Sequence, residues 1–164
     1  MSRPAYDVAI VGAGIVGAAC AWECARHGMR VAVIENAVVG GGATAAGMGH
    51  VVVMDDSEAQ FALTKYSCDL WQEMAAELPA DVQYVRAGTI WVAADEEEMA
   101  EVRRKHEFYG ARGVRTEVLD AATMRSAEPH LRRGLAGGLL VPDDIVIYAP
   151  CAARYLLEQA KSRE

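Results

Sequence analysis

Apolar and polar positions fall into two rhythms along this chain. After Asp7 comes Val8-Ala9-Ile10-Val11, a short unbroken apolar run that reads as a buried strand. Gly12 interrupts it, and Ile15 opens an Ala-rich stretch of helical length. After Gly28, the run Arg30-Val31-Ala32-Val33-Ile34-Glu35 reads as a second strand ending in a carboxylate. The pattern predicts strand, turn, helix and strand in immediate succession.

Further on, Ser57 can cap a helix running to Leu78, with Gln60 completing a capping box. Phe61, Leu63, Tyr66, Leu70, Trp71, Met74 and Leu78 follow helical spacing and read as its core face. Pro79 ends it. Val82–Ala94 is β-rich, with Gly88 inside. Asp95 caps a helix whose first turn holds Glu96, Glu97 and Glu98, where acids suit the positive end of the helix dipole. Gly110 or Gly113 stops that helix. Arg115–Leu119 reads as a strand, Asp120 as the cap of a short helix Ala121–Ser126, and Pro129 as its break. Gly138–Val141 and Ile145–Tyr148 flank a turn at Pro142-Asp143-Asp144, and Pro150–Lys161 is a final helix. Turn chemistry explains Asp143 and Asp144 better than a general acid/base pair.

The first turn carries the most chemistry. Gly12-Ala13-Gly14-Ile15-Val16-Gly17 sits between a strand and a helix, the context in which such a glycine spacing cradles an adenine dinucleotide. Gly12 permits the tight turn, Gly14 lets backbone approach a pyrophosphate, and Gly17 lets helix and sheet pack closely. The amides at the helix start then face the phosphates. Glu35 lies 23 residues after Gly12, placed to accept from ribose hydroxyls. Its charge disfavours a 2′-phosphate, so FAD and NAD fit and NADP fits poorly. The segment Asn36–His50 then holds Gly40, Gly41, Gly42, Gly47 and Gly49. A second glycine-rich loop after the acid points to a longer cofactor with a second cradle; the plain alternative is a surface loop.

At these residues the chain resembles the D-amino-acid oxidase-like superfamily of FAD-dependent oxidoreductases, the group of glycine oxidase, sarcosine oxidase and D-amino-acid dehydrogenases. The matching pieces are Gly12–Gly17 with Ala21, Val31–Glu35, Gly40-Gly41, Ala43-Thr44 and Ala46-Gly47-Met48. Looser matches are Gly88–Val92, Glu128-Pro129, Gly137–Leu139 and the helix from Pro150. The resemblance implies an α/β fold with a Rossmann-like FAD-binding core and the beginning of a mixed α+β substrate domain. The FAD-binding domain would take 1–80, the partial substrate domain 81–147, and a return helix 148–164. It implies FAD along Gly12, Ala13, Gly14, Ile15, Val16 and Gly17, its ribose at Glu35, its ribityl chain and flavin beside Ala43, Thr44, Gly47 and Met48, and further cofactor contacts at Asn36 and Gly41. The implied reaction is oxidation of the C–N bond of an amino acid or secondary amine, with hydride passing to the flavin. His50 follows the loop without any local mark of a flavin attachment.

Members of that family are much longer, and the resemblance makes this chain an N-terminal portion. On that reading the chain alone is a poor enzyme, and a second copy or a partner chain covers its truncated surface. The alternatives are a non-catalytic remnant or subunit piece, and an NAD-binding dehydrogenase fragment. No residue stands out as catalytic.

Composition narrows the picture further. An apolar content of 52% suits a globular chain, and a net charge of −7 disfavours nucleic acid and anionic membrane surfaces. No apolar run reaches spanning length, and Asp7 breaks the order expected of a signal peptide. Cys20, Cys24, Cys68 and Cys151 form no CxxC pair, which suits free thiols in a reducing cytoplasm. His27, His50, His106 and His130 are scattered without metal-ligand spacing.

Overall fold

The computed structural model describes residues 5–55 and 57–161. In chain order the elements are β1 (Val8–Val11), α1 (Ile15–Arg26), β2 (Val31–Ile34), α2 (Ala43–Ala46), β3 (His50–Val51), α3 (Glu58–Met74), a 3₁₀ turn (Ala80–Val82), β4 (Thr89–Ala93), α4 (Glu96–Gly110), β5 (Glu117–Asp120), α5 (Ala121–Ala127), β6 (Gly137–Val141), β7 (Ile145–Val146) and α6 (Ala149–Lys161). Contacts divide the chain into two compact units. One comprises Met1–His50, Trp71–Val85 and Val146–Glu164, the other Val51–Leu70 and Arg86–Ile145. These contact-defined units cut the chain elsewhere than the segments 1–80, 81–147 and 148–164 expected from the resemblance.

In the first unit β1 and β2 pair in parallel, from Val8 opposite Val31 to Val11 opposite Ile34. The right-handed βαβ crossover that joins such strands is the seed of a Rossmann sheet. α1 and α6 pack through small residues: Ala18 and Ala153 are fully buried, with Leu156 between Ile15, Trp22 and Tyr155. Ala-rich faces let two helix backbones approach closely, which explains the composition of both helices.

In the second unit β4, β6 and β5 form an antiparallel sheet with β6 central, Trp91 and Val118 both opposite Leu139. Its core gathers Val53, Phe61, Met99, Val102, Tyr109 and Leu139. The carboxylate of Asp55, only 3% exposed, accepts from Arg104 Nη2 at 2.8 Å, from Lys105 Nζ and from Tyr109 Oη at 3.2 Å. Burial alone would raise its pKa, but the hydrogen bonds from Lys105 and Arg104 more than offset it and hold the group below the usual carboxylate range. Burial, then the charges of Asp144 and Asp69, push the Cys68 thiol up to about 11.

The caps read from the sequence hold at α4 and α5. Asp95 accepts from Glu98 N at 3.0 Å, and Asp120 accepts from Ala122 N and Thr123 N. At α3 the expectation is half met. Ser57 Oγ accepts from Gln60 N at 3.2 Å, but the Gln60 side chain turns to Met54 Sδ instead of closing a capping box. The helix also ends at Met74 rather than Leu78, because tight turns from Gln72 to Ala75 and Met74 to Glu77 consume the last carbonyls ahead of Pro79. The expected single apolar face of α3 is wrong as well. Phe61 is buried, whereas Leu63, Tyr66 and Leu70 lie in solvent.

Candidate cofactor site

The turn after β1 is built by backbone constraint. Gly12 takes φ +100°, a conformation costly for any residue with a Cβ, while its N–H still donates to Ile34 O at 2.8 Å. A Cβ at Gly17 would lie 2.0 Å from Gly12 O, so only glycine lets the helix start this close to the turn. α1 has no side-chain cap of its own and no acid in its first turn.

Two remote side chains serve that helix start instead. Glu35 Oε2 accepts from Ala13 N at 2.8 Å, and its Oε1 accepts from Ala37 N at 3.0 Å. The Ala13 amide, then the Ala37 amide, hold the Glu35 carboxyl below its ordinary value. Thr44 Oγ1 accepts from Ile15 N at 3.0 Å, tying the second glycine loop to the first turn of α1. The loop is anchored again where Gly40 N donates to Ala13 O at 2.9 Å. Inside it lies α2, a single helical turn, where the sequence reading placed only a loop.

Around this turn opens a cleft of about 870 Å³. Gly12, Gly14, Ile15, Val16, Gly17, Glu35, Asn36, Gly41, Ala43 and Thr44, ten of the expected site residues, line it. Ala13 is buried and contributes its amide to Glu35. Gly47 and Met48 follow α2 outside the lining, with Met48 largely exposed. Ile10, Val11, Cys20, Ala37, Val38 and Gly42 also line the cleft and are not among the residues expected from the sequence. Cys20 had a readable signal, since it lies one turn beyond Gly17 on α1. Val11 and Val38 look like core by periodicity, yet they are 85% and 69% exposed.

A dinucleotide fits these residues by three observations. The cleft lies within the ~300–1,000 Å³ range of small-molecule sites. An α-helix cannot satisfy its own first-turn donors, so the Val16 and Gly17 amides remain for an anion. An ionised carboxylate, Glu35, stands just past the end of β2, the position from which an acid in this kind of fold accepts from a ribose. A second cavity of about 500 Å³, against Val31 and Val33 of β2 and Leu157 of α6, also reaches Glu35, Arg154, Glu158 and Lys161 but takes in none of the first-turn residues of α1. Among the described residues, no group of His, Cys, Asp and Glu is placed to hold a metal ion, and no helix is long and apolar enough to cross a membrane.

The sequence profile of the DAO family, described as FAD dependent oxidoreductase, matches residues 7–164. The chain belongs to this family. It is 32% identical over 169 residues to glycine oxidase of Geobacillus kaustophilus, covering 96% of this chain and 44% of that protein. It is 29% identical over 137 residues to 4-methylaminobutanoate oxidase (formaldehyde-forming) of Paenarthrobacter nicotinovorans, covering 82% of this chain and 17% of that protein. The crystal structure of the Geobacillus kaustophilus glycine oxidase superposes with a TM-score of 0.85 at 33% identity, over 96% of this chain and 45% of that one. The α/β fold with a Rossmann-type core is thus that of the FAD-dependent oxidoreductases, and the chain spans less than half the length of these relatives.

Proposed function

We propose that this chain binds the ADP half of FAD in the Gly12–Thr44 cleft, and that it serves an oxidoreductase acting on the C–N bond of an amino acid or secondary amine. The observation that carries the reading is the start of α1, an uncapped helix end whose amides open into a cleft beside an ionised Glu35. The printed names of two relatives, glycine oxidase and 4-methylaminobutanoate oxidase, support the substrate class.

Each residue then has a physical task. The Val16 and Gly17 amides hold the pyrophosphate, and the helix dipole adds about half a positive charge there. Thr44 accepts from Ile15, which leaves its own O–H to donate to a phosphate oxygen. Glu35, already fixed by Ala13 and Ala37, accepts from the ribose hydroxyls with its remaining lone pairs. FAD, when bound, supplies the two-electron acceptor for substrate oxidation. The protein's share in this half of the molecule is binding and orientation: the one carboxylate of the cleft is committed to backbone amides.

Calorimetric titration of the chain with ADP, FAD and NAD tests the reading. ADP and FAD bind, Glu35→Ala weakens ADP about tenfold or more, and Gly14→Val abolishes binding with the far-UV circular dichroism unchanged. Tighter binding of NAD than of FAD, or equal ADP affinity in all three proteins, would overturn it.

A further inference from the structure

Arginine in this protein is nearly always paired. Eight of the eleven arginines among the described residues lie within 4.0 Å of a carboxylate, as suits a chain with 23 acids against 16 lysines and arginines. The three exceptions sit together. Arg125 is on α5, and Arg132 and Arg133 are on the loop between α5 and β6. All three are exposed, and among the described residues none of their guanidinium groups has a hydrogen-bond or ion-pair partner. The acids close to them in sequence are held elsewhere. Glu128 Oε1 accepts from His130 N at 3.1 Å, and Asp120 accepts from the Ala122 and Thr123 amides. Met124 and Leu135 are buried against Leu119 of β5, with Leu131 packed on them. These apolar anchors fix the loop and leave Arg132 and Arg133 between them in solvent.

We infer that this arginine cluster is a docking surface for an acidic segment of a partner protein. Three like charges between positions 125 and 133 repel one another, and no carboxylate among the described residues offsets that repulsion. A carboxylate-bearing partner does. Arginine suits the task, because its planar fork holds a carboxylate through two parallel N–H donors, whereas lysine acts only as a point charge. Arg125 and Arg132 line one notch of about 10 Å³, room for a single water and far below the ~300 Å³ at which small-molecule sites begin. The partner therefore lies across the surface rather than inside a pocket. Gly134, which also lines the notch, leaves room for it: φ is +81° and a Cβ there would meet nothing within 4 Å. Charge also selects the kind of partner. A nucleic acid strand or an anionic bilayer extends far beyond three side chains and meets the repulsion of a chain with a net charge of −7. A short acidic segment stays within the Debye length of about 8 Å around the cluster, where the local positive charge prevails.

Fluorescence anisotropy of a labelled hexaglutamate peptide, titrated with the 164-residue chain, reads this directly. The expected dissociation constant is on the order of 100 µM at low salt, weakening about tenfold at physiological ionic strength. Arg132→Glu and Arg133→Glu each weaken the peptide about tenfold or more, and Arg132→Gln, which removes the charge without reversing it, weakens it less. Arg26→Glu makes the same change in net charge at an arginine that is already paired with Glu23, and it leaves the affinity within about twofold of wild type. All these side chains are at least half in solvent or exposed, so the circular dichroism stays unchanged. An equal loss in Arg26→Glu would reduce the effect to net charge and overturn the proposal. So would a wild-type chain that does not bind the peptide, an affinity indifferent to salt, or tighter binding of a short DNA strand or of phosphatidylserine vesicles than of the peptide.

Discussion

Two helix starts in this protein solve one problem in opposite ways. Both leave first-turn amides without partners inside the helix. α4 closes its own end. Asp95 accepts from Glu98 N at 3.0 Å, the Glu98 side chain returns to Ala94 N at 2.6 Å, and three acids crowd the first turn. α1 has neither a local cap nor a first-turn acid, and borrows Thr44 and Glu35 from 22 to 29 residues away. The difference separates structure from function. A helix that needs only to fold is capped by its neighbours in sequence, and an anion would meet repulsion there. A helix that receives a ligand keeps its donors open and its approach lined with glycine.

The largest test of that contrast is Gly17→Ala. The new methyl would lie 2.0 Å from Gly12 O, a backbone atom that cannot move without opening the turn. Overpacking against backbone should cost at least about 3 kcal/mol, above the usual range for a single methyl. Urea unfolding of the purified variant measures it. A loss near zero would mean that the turn relaxes easily, and that its glycines serve the ligand more than the packing.

At α4 the matching test is Asp95→Ala, which removes an N-cap and should cost about 1 kcal/mol. The effect belongs to stability alone: ADP affinity stays at the wild-type value, because this capping box serves no ligand. A change in ADP affinity would break the distinction drawn between the two starts.

Acid sharpens it further. The folded-state pKa of Glu35 is depressed, chiefly by the Ala13 amide, so the stability it confers is complete above its ordinary value of 4.5. That stability fades as pH falls through the lowered folded value. Glu35→Gln should therefore be less stable than wild type near neutral pH, and the gap should shrink steadily below about pH 4.5. Denaturant midpoints of both proteins across that range decide it, and a gap that stays constant would show that the carboxylate's charge plays no part in holding the Ala13 amide.

Much of this was legible in the sequence, and the limits are physical. The βαβ unit, the caps at Asp95 and Asp120 and the turn at Pro142-Asp143-Asp144 depend on near neighbours, which sequence displays directly. The cleft residues Gly12, Gly14, Gly17 and Glu35 were readable because their spacing is itself the chemistry. Thr44 as an acceptor for Ile15 was not, since the bond joins residues 29 apart through a loop whose path no periodicity encodes. α3 misled for another reason. Seven apolar residues at helical spacing looked like one face, but three- and four-residue steps from Phe61 and from Leu63 run along different sides of a helix, and only solvent exposure tells them apart.

The smallest test repeats the alanine substitution on the other helix. Gly110 closes α4, its φ is not in the left-handed region, and a Cβ there would meet nothing within 4 Å. The left-handed residue that turns the chain is Gly113, at φ +75°, while Val114 N returns to Tyr109 O at 2.9 Å. Position 110 therefore uses none of glycine's freedom in the folded state, yet the unfolded chain keeps all of it. Gly110→Ala should stabilise the protein by about 0.4–1 kcal/mol, mainly by restricting the unfolded ensemble. Set beside Gly17→Ala, the same methyl on two helices then gives opposite signs: at α4 the glycine is replaceable, and at α1 it is held by the close approach of Gly12. Thermal melts of the two variants, recorded together, read that difference in sign. A destabilised Gly110→Ala would show that the end of α4 needs glycine after all, and would erase half of the contrast.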